Sequence, residues 1–66
     1  MDSELLAEID RIIETDLSPL EQEVMRLCMT GMTSSEAAGV LNRDFKSTDN
    51  AYTRAKSKIR KALEAR

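Results

Sequence analysis

Residues 33–63 read TSSEAAGVLNRDFKSTDNAYTRAKSKIRKAL, and the fold turns on how this run divides. Thr33-Ser34-Ser35-Glu36 has the form of a capping box, in which the threonine hydroxyl accepts from the amide three residues on and the glutamate returns the bond. A short helix follows, with Ala37, Ala38 and Leu41 inward, and its pattern stops near Asn42. Asn42-Arg43-Asp44-Phe45-Lys46 lacks helical periodicity and holds turn formers at Asn42 and Asp44, so it reads as a turn of about five residues with Phe45 as its buried plug. Ser47 then caps a longer helix whose inward stripe is Tyr52, Ala55, Ile59, Ala62 and Leu63. A short helix, a tight turn and a longer polar-faced helix are the parts of a helix-turn-helix.

Upstream, Ser18-Pro19-Leu20-Glu21 is a second capping box with proline at the first helical position. Leu20, Val24, Leu27 and Cys28 form the stripe of a helix from about Pro19 to Thr30, and Gly31 supplies a left-handed residue to end it. Before it, Leu5, Leu6, Ile9, Ile12 and Ile13 mark one apolar face on a helix from Asp2 to about Thr15. Ser3 can cap that start, and Asp2 and Glu4 suit the positive end of its dipole. The expected fold is therefore all-α, a small helix-turn-helix domain of about four helices that takes in residues 1–66 as one unit.

A chain of 66 residues buries too little surface to enclose a large active site. There is no histidine, and Cys28 is the lone cysteine, so neither an internal disulfide nor a zinc site is available. Cys28 lies on an apolar stripe, where cysteine is usually a small buried hydrophobe, and no glycine-rich phosphate loop follows a strand. An enzyme is the least favoured class, with no catalytic residues, metal or cofactor expected. No apolar run approaches the roughly 20 residues of a membrane span, and no signal peptide opens the chain. The reading is cytoplasmic.

The net charge of −2 conceals two halves of opposite sign. Met1–Thr30 holds eight acidic and two basic residues, whereas Gly31–Arg66 holds eight basic and four acidic. Such a distribution suits a basic element that meets nucleic acid and an acidic one that meets something else. On the last helix the outward residues are Asp49, Asn50, Thr53, Lys56, Ser57, Arg60 and Lys61, with Arg54 and Lys58 on the flanks. Asn50 can donate and accept at one base edge, Thr53 can offer a hydroxyl or a methyl, and Asp49 can accept from a cytosine amino group. Asp49 equally suits the helix dipole. Arg43, Lys46, Arg54, Lys56 and Lys58 would be phosphate ligands, although basic residues near a helix end, such as Lys58, Arg60 and Lys61, are favoured there in any case. The expected DNA-contacting set is Arg43, Lys46, Ser47, Thr48, Asp49, Asn50, Thr53, Arg54, Lys56 and Ser57.

The stretch from Leu17 to Leu63, LSPLEQEVMRLCMTGMTSSEAAGVLNRDFKSTDNAYTRAKSKIRKAL, resembles region 4 of bacterial sigma factors, and within them the sigma-H type. Its strongest echo lies in LNRDFKSTDNAYTRAKSKIRKAL. The resemblance implies the C-terminal domain of a longer protein that reads the promoter −35 element on double-stranded DNA and docks on the β-subunit flap of the RNA polymerase core. It also implies a place at the bacterial nucleoid, and the isolated domain is expected to be monomeric. Sigma-H-like proteins usually carry a branched aliphatic residue where this chain has Thr48, and larger apolar residues where it has Ala37, Ala55 and Ala62. A LuxR-type output domain shares the first half of the pattern but differs after Asn42. A helical protein-interaction module is the reading from another class, with Met25, Met29 and Met32 lining an adaptable apolar groove.

Overall fold

In a computed structural model, which describes residues 3–65, the chain forms α1 (Ser3–Asp16), α2 (Pro19–Met29), α3 (Ser34–Leu41) and α4 (Phe45–Glu64). Among the described residues there is no strand, so the fold is all-α as the sequence implies. Ser3, expected as the cap of α1, is itself helical. Asp2, expected to favour the dipole of that helix, lies outside the described residues.

Both capping boxes form. Ser18 is extended, its hydroxyl accepts from the Glu21 amide at 3.4 Å, and the Glu21 carboxylate accepts from the Ser18 amide at 3.0 Å. Thr33 and Glu36 exchange the same pair of bonds at 3.2 and 3.0 Å. These pairs fix where α2 and α3 begin by satisfying amides that no helical carbonyl can reach.

The two helix ends are alike. Gly31 takes φ +106°, and the next amide, from Met32, reaches back to the Leu27 carbonyl. After α3, Asn42 takes φ +55° and the Arg43 amide donates to the Ala38 carbonyl at 3.0 Å. A left-handed residue followed by this backward bond reverses the chain within a residue or two. It is why α3 can follow α2, and α4 follow α3, after such short connections.

α4 packs against each of the other three helices. Ile12, Ile13 and Leu17 from the first helix and its exit, Met25 of α2 and Ala55 of α4 form a buried cluster, with Ile9, Tyr52, Ile59, Ala62 and Leu63 against it. Val24, Ala37, Ala38 and Ala51 are buried as well. The small residues on α3 and α4 leave no side chain to hold the helices apart, so they approach closely. α1 is thus a packed fourth helix, further pinned by Arg26 of α2, which donates to Asp10 at 2.8 Å and lies 3.7 Å from Glu14. These side chains are about half exposed, so each pair contributes at most about 1 kcal/mol.

Candidate nucleic-acid interface

Three expectations for the turn and the start of α4 need correction. Asp44, not Ser47, is the cap: it is extended, and its carboxylate accepts from the Ser47 amide at 3.1 Å. α4 therefore starts three residues earlier than expected, and the turn shrinks to Asn42, Arg43 and Asp44. Phe45 is no plug but the first helical residue, 55% exposed. Thr48 is the third correction. Expected to face DNA, it is fully buried, and its hydroxyl donates to the Asp44 carbonyl at 3.0 Å, so its side chain belongs to the core and is not available to a duplex.

The physical reason for Thr48 is periodicity. With 3.6 residues per turn, Thr48, Ala51, Tyr52, Ala55, Ile59 and Ala62 share one side of α4, and all are buried or half-buried. The opposite side carries Lys46, Asn50, Thr53 and Ser57, of which the first three are exposed and Ser57 is half-buried. Arg54 and Ser47 are exposed on one flank of this face, and Asp49, half-buried, on the other. Thr53 donates its hydroxyl to the Asp49 carbonyl at 3.0 Å, which leaves its oxygen free to accept.

Two shallow depressions divide these side chains. One, about 270 Å³, runs between the start of α2 and α4 and is lined by Ser18, Leu20, Glu21, Ser47, Asn50, Ala51 and Arg54. The other, about 490 Å³, lies along α4 itself between Thr53, Lys56, Ser57 and Arg60. Arg43 is exposed in the turn, beside the exposed Lys46. Lys56 is placed differently from the other cations: its ammonium sits over the Tyr52 ring, 4.7 Å from the centroid, toward the α1 side of the helix.

Lys58 is engaged by a partner that periodicity could not disclose. Its ammonium donates to Glu21 at 2.6 Å, joining the middle of α4 to the first turn of α2. Glu21 is only 5% exposed, so one carboxylate serves both the cap of α2 and the docking of α4. Burial alone would raise its pKa, but the hydrogen bonds from Lys58 and Ser18 and the ammonium charge outweigh that and hold it below the ordinary value. Asp44 is likewise held low, by hydrogen bonds from the Ser47 amide and hydroxyl.

A pH dependence follows from these directions. A carboxyl whose folded pKa lies below its unfolded one stabilises fully above the unfolded value and loses that contribution as pH falls through the folded one. The melting temperature is therefore expected to hold near neutrality and decline below about pH 5, where unfolded Asp and Glu begin to take up protons. Glu21→Gln and Asp44→Asn each keep a capping side chain, and each should flatten the acid decline. Melting curves by circular dichroism between neutral and acid pH check this; equal slopes in wild type and both variants would refute it.

On the other side of α4, Leu6, Ile9, Met25, Met29, Tyr52, Lys56 and Ile59 line an apolar groove of about 530 Å³. Met29 is 51% and Leu6 42% exposed, while Met25 is buried and Met32, away from this groove, is half-buried. Cys28 is free and half-buried; burial pushes its thiol pKa up, with the Lys56 charge opposing, which does not make a reactive thiolate at neutral pH. Among the described residues no three acidic or cysteine side chains gather as a metal would require, and no helix is long and apolar enough to cross a membrane.

No family model matches the chain, and no solved structure does. Two curated proteins do match: the RNA polymerase sigma-H factor of Bacillus licheniformis and that of Bacillus subtilis (strain 168), each 46% identical over 50 residues. The aligned residues make up 76% of this chain but only 22% and 23% of those proteins. In sequence, then, the chain is sigma-H-like, and what it matches amounts to less than a quarter of such a factor.

Proposed function

We propose that the chain is the promoter-reading domain of an RNA polymerase sigma factor, in which α4 enters the major groove at the −35 element and α3 crosses the DNA backbone. The observation that carries this reading is the two-sidedness of α4. One side is spent on the core, while Lys46, Asn50 and Thr53 stand exposed on the other, directly after a short capped helix and a tight turn. The sigma-H likeness supports it independently.

In this reading Asn50 and Thr53 meet base edges, with Asp49 at the margin, and Arg43, Lys46 and Arg54 hold phosphates. Ser47 and Ser57 border the contact, and Lys56 reaches a phosphate only by leaving Tyr52. The domain acts by binding, not by catalysis. The acidic α1 and the part of α2 around Met25 and Met29 face away from DNA, toward the polymerase core, and the apolar groove they share with α4 is a suitable seat for a core segment at the β flap.

The test separates base contacts from backbone contacts. Asn50→Ala and Thr53→Ala are each expected to reduce discrimination between a selected promoter duplex and a random one, on the order of 1–3 kcal/mol per contact. Lys46→Ala should instead weaken binding to both duplexes about equally, and Lys56→Ala should do so less. Measured by fluorescence anisotropy, an unchanged ratio of specific to random binding in both Asn50→Ala and Thr53→Ala would mean that α4 does not read bases.

A further inference from the structure

Phe45 is a large aromatic residue left more than half exposed at the tip of the helix assigned to the groove. It is the first residue of α4, directly after the Asp44 cap. Arg43 and Lys46 bracket it in sequence, and both are exposed. Helical side chains lean toward the N-terminus, so the surface that Phe45 covers lies over the very start of α4. That end of a recognition helix is the part nearest the bases.

We infer that Phe45 is a specificity-determining residue that packs on the 5-methyl group of a thymine in the bound duplex. The chemistry is narrow. Base edges in the major groove are polar except for that methyl, and an aromatic ring is a suitable apolar partner for it. Arg43 and Lys46, close to it in sequence and exposed, complement a phosphate backbone. The inference rests on the reading of α4 as the helix that enters the major groove.

The experiment uses the whole chain at low salt with a duplex selected from random sequences, and replaces each thymine in turn by uracil, which pairs identically but lacks the methyl. For wild type, one such duplex is expected to bind about 4-fold more weakly, the effect of exposing one methyl group. Phe45→Ala should bind the parent duplex more weakly and show no further loss on that uracil duplex, whereas Phe45→Leu should retain part of the sensitivity. Because the ring is exposed, melting temperatures of both variants should stay near that of wild type. If wild type prefers the selected duplex but Phe45→Ala keeps the full uracil sensitivity, or no uracil position matters, the inference about Phe45 is wrong and the reading of α4 stands. If wild type shows no preference for any selected duplex, both are overturned.

Discussion

Ile13→Ala is expected to leave a large fraction of the domain unfolded at room temperature. Ile13 is fully buried, at the centre of the cluster that joins α1 to α2 and α4. Removing most of a buried isoleucine costs about 2–5 kcal/mol, through lost transfer energy and the cavity left behind. A chain of 66 residues has little in reserve, since total stabilities run at roughly 0.05–0.15 kcal/mol per residue. The surroundings are also poorly able to collapse into the gap, because Ala55 across from it is already as small as a side chain gets while still packing. Urea denaturation followed by helical circular dichroism reads the outcome. A loss under about 1 kcal/mol would mean that α1 covers the core loosely and that α2, α3 and α4 stand largely without it.

What the sequence disclosed and what it hid divide along a physical line. Ser18, Glu21, Thr33 and Glu36 were legible because a capping box is made by residues three apart and needs no tertiary structure. Gly31 and Asn42 were legible as turn residues for the same reason. Asp44 and Ser47 were ambiguous, since both residue types cap helices and lie three apart. Placing the cap at Ser47 turned Phe45 into a loop residue, and an aromatic in a loop reads as buried. With the helix starting at Phe45, the same ring becomes the exposed tip of a helix.

Thr48 was hidden by its chemistry. A hydroxyl suggests solvent or a ligand, but within a helix threonine can return its proton to the carbonyl four residues back, and that bond lets the side chain enter the core without an unpaired donor. The resemblance to sigma-H held a usable signal: the expected aliphatic residue at this position already marked it as an inward one. The Glu21–Lys58 pair was beyond local reading, because its partners are 37 residues apart and only the packing of α2 on α4 joins them.

This placement of the cations sets the other large effect. The triple variant Arg43→Ala, Lys46→Ala, Arg54→Ala is expected to weaken binding to selected and random duplexes alike, on the order of a hundredfold at low salt if each exposed charged contact contributes about 1 kcal/mol or somewhat more. The three side chains are exposed at the turn and the first half of α4, the end proposed to approach DNA. Lys58 is held by Glu21 and Lys56 lies over Tyr52, so neither is poised to replace them. The sharper readout is salt dependence. Each lost phosphate contact removes about 0.9 from the slope of log affinity against log salt, so the triple variant should flatten that slope by between two and three units, roughly. Arg11→Ala, on the exposed surface of α1, changes net charge in the same direction but should leave the slope nearly unaltered. If Arg11→Ala shifts the slope about a third as much as the triple variant, in proportion to its one charge against three, overall charge and not the position of α4 governs binding, and the placement of α4 against the duplex fails.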